Sequence, residues 1–159
     1  EILNLLEFAK KAHVDVRFIE MMPIGLGKQF KCVSEDELHE IIEKTYGPMT
    51  VYCERRGNGP AVYYNVPGFE GKVGFISAIS HKFCSMCNRV RLTSEGFLKT
   101  CLQYEQGVDL KELLRNGASE ETLWEAMETA IRMKPIGHHF DEKIEQTRDE
   151  HKGMSQIGG

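Results

Sequence analysis

The sequence has no surplus of positive charge, no long apolar run, no internal repeat and no low-complexity block. Its formal net charge is −4, which argues against a nucleic-acid surface as the main function, because such surfaces are basic. No apolar stretch nears the roughly 20 residues that a bilayer crossing needs, so no membrane role is expected. No signal peptide opens the chain. The cysteines are also badly supplied for disulfide pairing, since five is an odd number. Without an export signal they point to a reducing compartment, the cytoplasm, where clustered cysteines are more often metal ligands or redox groups than bridges.

What is present fits one domain, or a domain plus a fragment, in 159 residues that are 41% hydrophobic and 28% charged. The chain opens at Glu1 inside a helical pattern, and this suggests a piece of a longer protein. Residues 2–12 set Leu5, Leu6, Ala9 and Ala12 at helical spacing. Val14, Val16 and Phe18 then alternate with Asp15 and Arg17 as a strand does. A helix running into such a strand is the repeating unit of a parallel α/β sheet or barrel. One unit cannot close a barrel, so its partners are expected before Glu1. Glu20, Met21 and Met22 stand at the carboxyl end of that strand, where parallel α/β folds bind ligands, followed by a glycine-containing loop at 23–28. The methionines can equally be packing residues.

Ser34 and Glu37 form a capping box ahead of a helix with Leu38, Ile41 and Ile42 on one face, ended by Gly47-Pro48. Strands at 49–54, 61–66 and 72–79 suggest a small antiparallel sheet. A short helix at 109–115 stops at Asn116-Gly117. Ser119 caps a longer one with Leu123, Met127, Ala130 and Ile131 facing inward.

Cys84-Ser85-Met86-Cys87 is a CxxC, a moderate signal by itself. Cys101 strengthens it. Segments 89–93 and 97–102 read as two strands around Ser94-Glu95-Gly96, and folding that hairpin about Glu95 brings Cys101 opposite Arg89, beside the CxxC loop. Three thiols then converge. A 4Fe–4S cluster held by three cysteines keeps one iron open for a nitrogen or oxygen ligand. A structural zinc on Cys84, Cys87, Cys101 and His81 competes with this reading, and three buried but inert cysteines remain the plain alternative. Cys32 and Cys53 are isolated and read as packing residues or bystanders. Arg89 and Arg91, two apart on a strand, share a face and suit bidentate phosphate binding. A charged, solvated edge strand accounts for them equally simply.

FCSMCNRVRLTSEGFLKTC, with RFIEMMPIG upstream and a terminal Gly-Gly, closely resembles the C-terminal part of the radical S-adenosylmethionine GTP 3′,8-cyclases, which open molybdenum-cofactor (molybdopterin) biosynthesis. The resemblance runs from Arg17 to Gly159. It implies a mixed α/β and α+β fold: residues 1–30 end an incomplete parallel βα barrel, and residues 31–159 form a C-terminal extension with a small antiparallel sheet, helices and a flexible Gly-Gly tail. It implies that Cys84, Cys87 and Cys101 hold a second 4Fe–4S cluster whose open iron takes guanine, and that Arg89, Val90 and Arg91 hold the GTP triphosphate. By the same resemblance Met22 contacts S-adenosylmethionine, and Gly158 and Gly159 reach into the active site. The family's first cluster, on CxxxCxxC, generates the deoxyadenosyl radical that takes a hydrogen from the ribose 3′ carbon of GTP before carbon 8 of guanine is attacked. That motif is absent here. The first cluster and most S-adenosylmethionine contacts are therefore expected on a missing N-terminal barrel half, and this chain alone is expected to be an inactive portion of a lyase-type enzyme. A homodimer is a further implied possibility, as is hand-over of product to an enzyme forming cyclic pyranopterin. An electron-transfer module whose cluster never meets substrate remains an alternative.

Overall fold

The computed structural model describes residues 1–140 and 150–157. The chain forms two compact units that interleave in sequence, Glu1–Met22 with Lys31–Phe83, and Pro23–Phe30 with Cys84–Gly159.

In the first unit, α1 (Ile2–Lys11) leads into β1 (Val16–Ile19). α2 (Glu35–Tyr46) begins at Ser34, whose hydroxyl accepts from the Glu37 N–H while the Glu37 carboxylate accepts from the Ser34 N–H, the reciprocal box expected from S-x-x-E. Gly47, at φ +92°, ends it. β2 (Thr50–Tyr52), β3 (Val62–Asn65) and β4 (Val73–Ile76) are joined antiparallel as the sequence suggested. The sheet is nevertheless mixed. Its order is β1-β4-β3-β2, and β1 runs parallel to β4 with Val16 opposite Val73 and Phe18 opposite Phe75. The burial of Val73, Gly74 and Phe75 explains the extra partner, because a strand covered on both faces sits inside a sheet rather than at its edge. Gly74 is required there: a Cβ would stand 2.9 Å from the Tyr63 ring. Leu6 of α1, Leu38 and Ile42 of α2, and Val66, Val73 and Phe75 form the core.

Glu20 follows β1 and is buried. Its carboxylate accepts from the Ile79 N–H (2.7 Å), the Ser80 N–H (2.9 Å) and the Ser80 hydroxyl (2.6 Å), with a longer contact from the Glu35 N–H at the start of α2. Burial alone would raise its pKa, yet these donors together outweigh it and hold the carboxyl below the ordinary glutamate range. A carboxyl depressed by folding stabilises the native state above its unfolded pKa, and that contribution disappears as pH falls through the folded value. We expect Glu20→Gln to lower stability near neutrality and to flatten the acid limb of a denaturation series taken from about pH 6 to about pH 3. An acid limb as steep as that of the parent contradicts the assignment.

In the second unit, β5 (Arg91–Leu92), β6 (Phe97–Lys99) and β7 (Gly107–Asp109) form an antiparallel sheet in that order. Asp109 ends β7 and caps α3 (Leu110–Arg115), accepting from the Glu112 N–H at 2.8 Å. Ser119 caps α4 (Glu120–Arg132) in the same way. The inward face expected for α4 is only partly covered: Leu123, Met127 and Ala130 are half-buried, but Ile131 is 48% exposed and Trp124 63%. Among the described residues no helix is long and apolar enough to cross a membrane.

Candidate functional site

The second unit's hairpin carries the site. Its turn is a three-residue loop, 94–96, closed by Thr93 N–H to Phe97 O (3.0 Å) and Gly96 N–H to Thr93 O (3.0 Å). The Phe97 N–H also donates to the Thr93 hydroxyl at 3.2 Å. Gly96 takes φ +83°, and a Cβ there would lie 2.6 Å from Lys111 Cβ, so glycine is needed for both conformation and space. The register sets Arg91 opposite Lys99 and Leu92 opposite Leu98. The pairing ends at Arg91 and Lys99, so residues 89 and 101, expected opposite one another, lie beyond the ladder.

Cys84–Met86 is a single 3₁₀ turn, closed by the Cys87 N–H donating to Cys84 O at 3.1 Å. Cys84, Cys87 and Cys101 are free and half-buried. Arg91, half-buried, ties the hairpin to them electrostatically. Burial pulls its guanidinium below the usual arginine value and Arg89 pushes the same way, while Cys87 and Cys101 oppose both. An arginine remains charged under such shifts. Arg89 and Val90 are exposed and precede β5, and Arg89 is close enough to Arg91 to act on its guanidinium.

Sequence reasoning missed two further features. Lys134, just beyond α4, donates to Cys87 O (2.9 Å), Cys87 Sγ (3.3 Å) and Arg89 O (2.8 Å). Its only trace in the sequence is a basic residue before Pro135 at a helix end. Lys99, opposite Arg91 in the register, belongs to a buried ion pair. Lys99 and Glu150 are each 3% exposed in their side chains and are hydrogen-bonded to one another. Lys99 Nζ also donates to Tyr104 O at 2.8 Å. The Glu150 N–H donates to Gln103 O (2.5 Å), and Gln103 Oε1 accepts from the His139 N–H (2.7 Å). Tyr104 completes the set, its hydroxyl 2.7 Å from His139 Nδ1 and 3.2 Å from Gly137 O.

The zinc alternative needs correction. His81 belongs to the first unit, where its Nε2 is 3.4 Å from Asp36 Oδ1. Among the described residues no three His, Cys, Asp or Glu side chains are grouped to hold a metal ion. That holds for Cys84, Cys87 and Cys101 as well as for the set with His81. Met22 is half-buried at the end of the first unit's opening segment. Gly158 and Gly159 lie outside the described residues, while Ile157 just before them is fully buried.

Residues 14–140 match the family described as Molybdenum Cofactor Synthesis C. Among curated proteins the chain is 46% identical over 159 residues to a GTP 3′,8-cyclase of Clostridium perfringens, covering all of this chain and 49% of that protein. It is 41% identical over 162 residues to one of Syntrophomonas wolfei and 40% over 163 residues to one of Trichodesmium erythraeum, again with full coverage of this chain and 49% of each relative. The chain thus spans about half the length of the curated relatives it matches.

Proposed function

The chain belongs to the Molybdenum Cofactor Synthesis C family, and on that premise we propose that it is the C-terminal portion of a radical S-adenosylmethionine GTP 3′,8-cyclase acting in the first step of molybdenum-cofactor biosynthesis. In this reading Cys84, Cys87 and Cys101 hold the second 4Fe–4S cluster. The chemistry of the donor set suits it: the three cysteines are free soft thiols, Lys134 donates to Cys87 and Arg91 lies within electrostatic reach of Cys87 and Cys101, cations that offset an anionic group. When bound, the cluster supplies an iron with an open coordination position for guanine. Arg89 and Arg91 grip the triphosphate from one face of the hairpin, with Val90 between them on the same segment. The observation that supports the reading is that Arg91, paired with Lys99 in the hairpin, lies within electrostatic reach of Arg89, Cys87 and Cys101.

The rest of the enzyme comes from residues outside this chain. Residues 1–30 end the partial barrel, and β1 offers its unpaired side in the sheet to the preceding strand of a missing N-terminal half. That half brings the S-adenosylmethionine-cleaving cluster. Met22 contributes to the S-adenosylmethionine pocket, the tail carries Gly158 and Gly159 toward the substrate, and residues 31–159 act as the substrate-binding extension. Alone, the chain is inactive. The intact lyase works in the cytoplasm, as a homodimer, and passes its product to the enzyme that forms cyclic pyranopterin.

Charge-assisted hydrogen bonds contribute roughly 1.5–3 kcal/mol each. In the full-length protein, Arg89→Ala and Arg91→Ala are each expected to weaken GTP binding by about tenfold or more, measured calorimetrically. Unchanged affinity in the double variant would leave the arginines structural and the cluster without a substrate partner.

A further inference from the structure

Lys134 touches a proposed cluster ligand and the proposed substrate-binding segment at once. It follows the C-cap of α4, its own N–H donates to Ile131 O at 3.1 Å, and Pro135 prevents the helix from continuing. The backbone of Lys134 is therefore held, and its side chain is half-buried. An ammonium has three protons, and three acceptors receive them: Cys87 O, Cys87 Sγ and Arg89 O. The two carbonyls flank Asn88, so one ammonium fixes the backbone that separates the second thiol from the first arginine.

We propose that Lys134 is a positioning residue for the second cluster: it locks the Cys87-to-Arg89 connection and tunes the cluster through its N–H···S bond to Cys87. The inference rests on the functional reading above. Nearby donors to ligand sulfur stabilise negative charge there, and hydrogen bonds to the sulfurs are among the features that set the potential of an iron–sulfur centre. The reduced cluster carries the extra electron and benefits most. Removing the donor should shift the midpoint potential to more negative values. Arginine keeps the charge but carries it on a longer planar fork, so it should restore the effect only in part.

The test uses the full-length protein, with its N-terminal cluster cysteines replaced so that only the second cluster reports. Lys134→Met and Lys134→Arg are reconstituted anaerobically with iron and sulfide and titrated by electron paramagnetic resonance. Lys134→Met is expected to disfavour the reduced state about tenfold, a shift of about 59 mV for one electron, and Lys134→Arg less than half of that. Iron should also leave the methionine variant several-fold faster under chelator. A folded methionine variant that holds no cluster supports the same role. A redox equilibrium changed less than twofold, about 18 mV, overturns the inference even if thermal stability drops, since a purely structural lysine moves only the latter. If Lys134→Met fails to fold by circular dichroism, Lys134→Gln is judged by the same threshold. A parent protein that takes up no cluster overturns the functional reading and this inference together. A normal parent cluster with an unshifted variant overturns the inference alone.

Discussion

Replacing Cys101 with serine is expected to empty the second cluster site and abolish GTP cyclisation in the full-length protein, while the hairpin keeps its fold. Cys101 is the proposed ligand that local sequence does not supply. Cys84 and Cys87 are joined by one 3₁₀ turn, whereas Cys101 follows the far strand of the hairpin that the 94–96 loop turns back. A serine oxygen fits the same space but is a harder, poorer ligand for iron. With two thiols left, the site has too few anchors for a cube of four irons. Iron and acid-labile sulfide at this site should fall from about four of each per chain to near zero. Cys53→Ser is the matched control. Cys53 is exposed, its thiol lies 4.0 Å from Val51 O, and its replacement should leave iron unchanged. Full iron retention in Cys101→Ser would remove that residue from the ligand set.

The second large effect is on stability. Lys99 and Glu150 are buried together, and each also holds a backbone group: Lys99 reaches Tyr104 O, and Glu150 Oε1 accepts from the Lys152 N–H at 2.7 Å. Removing one member leaves an unpaired charge where water cannot follow. Glu150→Ala is expected to cost about 3–5 kcal/mol in urea unfolding, with a melting point lower by roughly 2–4 °C for each kcal/mol. Replacing both members by apolar residues, Lys99→Met with Glu150→Leu, removes the penalty at its source and should recover most of the loss. The nearby Lys152–Glu95 pair is exposed and should matter little. Additive losses in the double variant would mean that the two charges do not compensate each other.

Several of these features were legible in the sequence because their causes are local. Ser34 and Ser119 announce helix starts through hydrogen bonds to residues three positions away. Gly96 announces the turn because the backbone there takes a positive φ. Once that turn is set, pairing of 91 with 99 is arithmetic. The rest depends on residues far apart in the chain. Pairing of β1 with β4 joins Val16 to Val73, and no short motif encodes that register. Glu150 meets Lys99 across fifty-one positions, and Lys134 meets Cys87 across forty-seven. Both lysines read as ordinary charged residues until their neighbours are known. β7 escaped because its three residues run directly into α3, with Asp109 serving as both strand end and helix cap. The expected inward face of α4 rested on period alone, and period states which residues share a face without stating what covers it.

Anaerobic reconstitution of this chain with iron and sulfide, followed by counting both per polypeptide, bears most directly on the three-thiol cluster. The account predicts a brown protein with about four irons and four acid-labile sulfides. A colourless protein that instead holds one zinc tightly would contradict it.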